Sequence, residues 1–191
     1  MPPPAPADAE LILAVQRRGD RHAFGELVRR HQSQVRAVLR RLSRGDEMQA
    51  DDIAQETFVL AWRHIGRFRF EAKFSTWLYR IAFNAWRSDA RKRREMPLES
   101  EPDDLADDGP SGELPDIASR VDLARAMEAL SEGERAAITA CYYADLSHEE
   151  AAVALGVPLG TVKTHVLRGK AKLRRILSYA PSPLGEGREK P

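Results

Sequence analysis

Apolar residues in the first half of the chain recur every three or four positions. Phe24, Leu27, Val28, Val35, Val38, Leu39 and Leu42 fall on one stripe, behind a Gly19-Asp20 pair that suits a helix start. The stripe predicts one amphipathic helix, with His31 as the position where it could break. A second helix is expected from about Asp51 to Ile65, turning Ile53, Phe58, Trp62 and Ile65 toward a core. Asp51 and Asp52 in its first turn would meet the positive end of the helix dipole. A third opens at Ser75 or Thr76 and offers Trp77, Leu78, Ile81, Ala82 and Ala85 as a broad apolar face. No stretch of comparable length alternates with period two, so no strand is expected and the fold class reads as all-α.

The pattern stops after residue 94. Pro97, Pro102, Pro110 and Pro115 punctuate the next stretch together with Gly109 and Gly112, and Leu98 to Ser119 holds eight carboxylates and no Lys or Arg. A segment of that composition has too little apolar surface to offset its ordering entropy, and its charges repel one another. It reads as a flexible acidic linker over residues 95–119, dividing the chain into two small helical domains at 9–94 and 120–179. Residues 180–191, rich in Pro and Gly, read as a disordered tail.

The second domain opens on a short stripe of Leu123, Met127 and Leu130. Ser131-Glu132-Gly133-Glu134 and Ser147-His148-Glu149-Glu150 each match a capping box, in which hydroxyl and carboxylate satisfy amides at a helix start. Between a helix over His148 to Leu155 and another over Pro158 to Leu177 there is room only for a tight turn, with Gly156 to permit a left-handed backbone and Pro158 to open the next helix. Ala151 and Ala152 are small enough to let the two helices approach, and Leu155, Val157, Val162 and Val166 fill the angle between them. This is a helix-turn-helix. The outer side of its second helix carries Lys163, Thr164, Leu167, Arg168, Lys170 and Lys172, and no acid occurs from Gly160 to Gly185. Basic groups for phosphates beside short polar and forked side chains for base edges are what a helix in the major groove requires.

The formal net charge of +1 hides opposed blocks: Arg21–Pro97 carries +8, Leu98–Ser119 −8, Arg120–Leu159 −4 and Gly160–Pro191 +6. No run approaches the roughly 18 to 20 apolar residues that cross a bilayer, and the opening Met1-Pro-Pro-Pro-Ala-Pro-Ala has neither a basic nor an apolar signal segment. A cytoplasmic location without membrane insertion is expected. Cys141 is the single cysteine and the five histidines lack metal-ligand spacing, so neither a metal nor a cofactor is expected. No nucleophile-base arrangement, phosphate-binding glycine loop or supported carboxylate dyad is present, which points away from an enzyme.

Asp51-Asp52-Ile53-Ala54-Gln55-Glu56-Thr57-Phe58, followed by Phe74-Ser75-Thr76-Trp77-Leu78-Tyr79-Arg80-Ile81-Ala82-Phe83-Asn84, closely resembles region 2 of the sigma-70 family. Gly160-Thr161-Val162-Lys163-Thr164 resembles region 4. Both occur in the family's order with no region 3 between them, so the chain resembles an extracytoplasmic-function (group 4) sigma factor. The resemblance implies a dissociable subunit that binds core RNA polymerase, directs it to −10 and −35 promoter elements and promotes opening of the DNA.

By that resemblance, Asp52, Gln55, Glu56 and Leu60 meet the clamp helices of the beta-prime subunit, with the beta subunit also part of the partner. The first three share one helix face by their spacing, and such an acidic stripe is otherwise an ordinary solvated surface. Holding unpaired bases calls for aromatic surface, polar groups and cations together. Arg67 to Phe74 interleaves these types, and the resemblance assigns the −10 element to Phe68, Phe70, Lys73, Ser75, Trp77, Arg80, Asn84 and Arg87. Asn84 matches the position that touches a flipped base, whereas Trp77 has the spacing of a core residue as well. Arg91 to Arg94 read as phosphate contacts or as a solvated helix end. For the −35 element the matching positions are Lys163, Thr164, Leu167 and Arg168, with Thr161 and Lys170 on the backbone. His165 departs from the family, which often has Arg there.

An anti-sigma partner is expected on the same ground, and the acidic linker could imitate nucleic acid near the polymerase active centre. Two other readings are a freestanding helix-turn-helix regulator and a sigma-like decoy that titrates an anti-sigma factor. The first leaves the acidic helix and the aromatic-basic loop unexplained. The second could have lost its DNA contacts, yet Lys163, Arg168 and Asn84 are present.

Overall fold

The computed structural model of the chain describes residues 7–95, 123 and 125–179. The acidic linker and the tail therefore lie outside the described residues, save for residue 95. Helix α1 spans Asp8–Arg18, α2 Arg21–Leu42, α3 Glu47–His64 and α4 Phe74–Glu95, with a 3-10 turn at Ile65–Arg67 between the last two. After a helical turn at residues 125–128 come α5 (Glu132–Tyr142), α6 (His148–Leu155) and α7 (Leu159–Tyr179). The described residues are helical or irregular and contain no strand, as the periodicity required.

Helix α1 was not anticipated. It buries Leu11, Ile12 and Val15 and ends at Gly19, whose φ of 62° is the left-handed conformation that glycine adopts without penalty. Asp20 then caps α2 by accepting from the His22 and Ala23 amides at 2.9 and 3.0 Å. Helix α2 runs unbroken through His31. That residue's Nε2 lies 2.8 Å from Asp8 Oδ2 and its ring meets Phe74 edge-on at 5.2 Å, so the polar interruption of the stripe ties α1 and α4 to α2. Helix α3 starts four residues before Asp51, because the Asp46 side chain accepts from the Gln49 amide at 2.9 Å. Helix α4 begins at Phe74, one residue before the expected start.

The stripes meet in one core. Leu27, Val35, Val38, Leu39 and Leu42 of α2 pack with Ile53, Ala54 and Ala61 of α3 and with Leu78, Ala82, Phe83 and Ala85 of α4, all buried. Each large apolar side chain removed from water contributes about 1.5–3 kcal/mol. Both capping boxes form: Ser131 and Glu134 exchange bonds of 3.3 and 3.0 Å, and Ser147 and Glu150 bonds of 3.1 and 2.9 Å. Gly156, at φ 65°, makes the turn out of α6. Helix α7 then lies so close to α5 that a Cβ at Gly169 would sit 2.9 Å from Ile138 Cγ1.

The α1–α4 and α5–α7 groups are not held apart. Helix α2 packs on α5, α4 packs on α6, and the buried apolar residues of both groups form one cluster. Two arginines fasten the seam reciprocally. Arg87 of α4 donates to the Leu155 carbonyl at the end of α6 at 3.0 Å, and Arg135 of α5 donates to the Leu42 carbonyl at the end of α2 at 3.3 Å. Each supplies a partner for a carbonyl that a helix C-terminus leaves without one.

Candidate functional site

Three surfaces carry the residues singled out by sequence. On α3, Asp52, Gln55 and Glu56 are exposed and Leu60 is half-buried, while the intervening Ile53, Ala54 and Thr57 face the core. Asp51 points the other way, toward Arg36 at 3.4 Å. The same outer stripe continues to Met48 and Val59, 79% and 49% exposed, which sequence reading missed. Spacings of four, three and four residues from Met48 through Asp52 and Gln55 to Val59 were the available signal. The face is an acidic centre with an apolar residue at each end, suited to a partner that is basic and partly apolar.

The second surface is the loop from Arg67 to Lys73. Phe68 is buried, and its ring meets Phe70 at 4.9 Å, Trp77 at 5.4 Å and Phe74 at 5.8 Å, so it supports the loop from beneath. Phe70 is 44% exposed and has a φ of 60°, rare for a bulky residue and a sign of a conformation imposed by its surroundings. Gln16 of α1 imposes part of it, donating from Nε2 to the Ile65 and Phe68 carbonyls at 2.8 and 2.9 Å. Sequence gave no sign of that pin.

Beside the loop lies a cavity of about 410 Å³ with Phe68 and Trp77 as aromatic wall and Arg67, Arg69 and Arg80 as a cationic rim that also includes Glu71. Thr76 also lines it; its buried Oγ1 has no hydrogen-bond partner. Trp77 is half-buried, serving core and cavity at once. Ser75 and Lys73 line a second cavity on the other side of Phe68. Asn84 and Arg87 follow on exposed turns of α4. The α6 group reaches this surface: Val153 closes one side of the first cavity, Glu150 pairs with Lys73 at 3.6 Å, and Leu155 takes Arg87. The Glu150 carboxyl is held below its ordinary range by the Ser147 amide and hydroxyl, with Lys73 adding to it.

The third surface is α7. Lys163, Thr164, Leu167 and Arg168 are exposed, Leu167 at 72%, and Thr161 and Lys170 are half-buried beside them. Val162 and Val166 on the opposite side are buried. Thr164 donates its hydroxyl back to the Gly160 carbonyl at 2.8 Å, and Lys170 lies over the Tyr142 ring at 5.5 Å. Lys172 does not belong to the outward set, since its Nζ binds Glu134 Oε2 at 2.7 Å. Burial pushes that carboxyl up, but the Lys172 and Ser131 bonds outweigh it and hold the group below its ordinary range. His165 packs against Gly133 of α5, where a Cβ would come within 2.8 Å of its Nε2. Its departure from the family pattern thus falls on a packing position.

The chain thus presents a basic helix behind a Gly-Val-Pro turn, an acidic face on α3 and an arginine-rimmed aromatic cavity. The sigma-70 region 2 profile matches residues 27–96 and the sigma-70 region 4 profile matches residues 120–173. The sequence is 37% identical over 174 residues to the ECF RNA polymerase sigma factor SigM of Mycobacterium tuberculosis, spanning 91% of this chain and 86% of that one. The chain is an extracytoplasmic-function sigma factor of the sigma-70 family. This sigma factor is also 35% identical over 184 residues to the RNA polymerase sigma-H factor of Pseudomonas aeruginosa, covering 89% and 93% of the two chains. Its backbone matches CnrH, solved in complex with the cytosolic domain of CnrY, with a TM-score of 0.67 and 28% identity over 92% of this chain and 100% of that one. RpoE from Bartonella quintana, solved with the anti-sigma factor NepR, matches with a TM-score of 0.66 and 27% identity over 83% and 98%.

As a member of this family, the sigma factor directs RNA polymerase to promoters, and the family works without catalysis of its own. The region 2 match over 27–96 disfavours the freestanding regulator. Among the described residues no helix is long and apolar enough to cross a membrane, and no group of His, Cys, Asp and Glu could hold a metal ion.

Proposed function

We propose that the three surfaces divide the work of initiation. The α3 face, through Asp52, Gln55, Glu56 and Leu60 with Met48 and Val59 at its ends, docks on the beta-prime clamp helices of core polymerase. The loop and α4, through Phe68, Phe70, Lys73, Ser75, Trp77, Arg80, Asn84 and Arg87, hold the unpaired −10 strand. The outer side of α7, through Lys163, Thr164, Leu167 and Arg168 with Thr161 and Lys170, reads the −35 duplex. The observation that carries this reading is the cavity of about 410 Å³ with aromatic wall and arginine rim beside a strained loop. Such a cavity can stack one base and neutralise its backbone.

Lys73 and Arg87 are engaged by Glu150 and Leu155, so promoter binding requires the seam to open. The solved relatives are bound to CnrY and to the anti-sigma factor NepR, which supports an anti-sigma partner for this chain too, one that acts while the seam is closed. A sigma-like decoy would have no need of the strained loop and its cavity. The chain itself carries out no reaction, and it works in the cytoplasm, where core polymerase meets DNA.

Reversing charge on the docking face tests the division. Asp52→Lys with Glu56→Lys should abolish co-elution with core polymerase while binding of a −35 duplex by α7 persists. Unchanged co-elution would remove α3 as the docking face.

A further inference from the structure

A third cavity, of about 290 Å³, lies in the seam on the side away from the −10 loop, and none of the three surfaces uses it. Four of its lining residues are arginines: Arg40 and Arg41 from the last turn of α2, Arg44 from the turn that follows, and Arg135 from α5. Among the described residues Glu128 is the one carboxylate on its wall, and Ala37 and Met127 supply an apolar floor. Arg40 pairs with Glu47 at 3.5 Å in an exposed ion pair that an added anion can share, and Arg41 lies over the Tyr143 ring at 4.4 Å.

Arg135 is only 4% exposed. It donates from Nη1 to Leu42 and from Nη2 to the Leu130 carbonyl at 3.1 Å, both neutral acceptors, and its Nε has no hydrogen-bond partner. A buried cation without a bonded carboxylate is costly, and burial followed by repulsion from Arg44, only partly offset by the nearby Glu132 and Glu128 carboxylates, holds this guanidinium below its ordinary range. Arg44 itself sits at a φ of 56°, a conformation that costs a non-glycine residue, and there it stays beside Arg135.

We propose that this cavity binds a small phosphate-bearing anion that bridges the two helical groups. Guanidiniums arriving from α2, the following turn and α5 suit the tetrahedral oxygens of a phosphate, which accepts forked bonds from several directions at once. The apolar floor suits a ring or chain attached to it. A ligand held by Arg40 and Arg44 on one side and by Arg135 on the other braces the closed seam.

The probes are inorganic pyrophosphate and ADP, titrated calorimetrically into the full chain, with a thermal melt alongside. One probe at least should bind one to one with a Kd of about 1 mM or tighter and raise the melting temperature. Arg44→Asn removes a charge with a residue that tolerates the left-handed backbone, and should weaken binding about tenfold without lowering the ligand-free melting temperature. Arg135→Gln should weaken it as much or more. Arg168→Ala, on α7, should leave it unchanged. Absence of binding by both probes to about 10 mM overturns the proposal. So does binding that Arg168→Ala removes and Arg44→Asn spares, which would place the anion on the DNA-reading helix. Neither readout involves polymerase or promoter.

Discussion

Replacing Gln16 by leucine keeps the size of the side chain and removes two hydrogen bonds that no DNA contact shares. The Gln16 Nε2 holds the Ile65 carbonyl at 2.8 Å and the Phe68 carbonyl at 2.9 Å, so one amide fixes both ends of the turn from which the aromatic loop departs. A neutral hydrogen bond contributes about 1 kcal/mol net, so the pair holds the turn with about 2 kcal/mol. The loop needs that support, since Phe70 at φ 60° stores strain of about 1 kcal/mol or more. If the loop must be ordered to hold an unpaired base, freeing the turn passes this energy to the binding step as a loss of about tenfold to thirtyfold. The assay is fluorescence anisotropy of reconstituted holoenzyme on a labelled single-stranded −10 oligonucleotide, with a −35 duplex as the internal comparison. Weakened single-strand binding with an unchanged −35 affinity is expected. A change below about twofold on the single strand, in a variant whose unfolding midpoint has fallen, refutes the reasoning.

Gly169→Ala should lower the urea midpoint. The new Cβ would meet Ile138 Cγ1 at 2.9 Å inside a packed interface, and overpacking of about 1–3 kcal/mol exceeds the roughly 1 kcal/mol that alanine adds to helix propensity; a raised midpoint contradicts the close approach of α5 and α7. Burial, with Asp145 adding to it, pushes the Tyr79 phenol up from 10.0 to about 12. The folded state prefers the neutral phenol, so its stabilisation of about 2 kcal/mol is complete below the unfolded value and is lost as pH rises through the folded one. Denaturant titrations from pH 10 to 12 should show a smaller alkaline loss for Tyr79→Phe than for the parent chain. Arg168→Ala should relax preference at one −35 position by about 1–3 kcal/mol, and equal loss across all sequences would reassign Arg168 to phosphate.

Much of this was legible along the chain. Val35, Leu39, Ile53, Leu78 and Ala82 are buried because a 3.6-residue period leaves them no other side, and Ser131 and Ser147 cap their helices because the glutamate three residues on completes each box. Helix α1 escaped because Leu11, Ile12 and Val15 make a stripe of little more than one turn behind a proline-rich start. The early start of α3 rests on a single Asp46 cap whose competitors, Asp51 and Asp52, stand in the same acidic run. Long-range polar contacts leave no periodic trace: Arg87 and Leu155 are 68 residues apart and Arg135 and Leu42 are 93, so the seam and the arginine cavity could be seen only in three dimensions. The same holds for Gln16, 49 and 52 residues from the carbonyls it pins. The same is true of His165, whose departure from the family's Arg could not by itself reveal that it packs against Gly133.

The most direct test is run-off transcription by purified bacterial core polymerase on a pool of fragments from the source genome, with and without the sigma factor. Discrete transcripts that depend on the added chain, whose start sites share upstream −10 and −35 elements, are the predicted result. Core polymerase that binds the chain yet initiates nowhere would contradict promoter direction and restore the decoy.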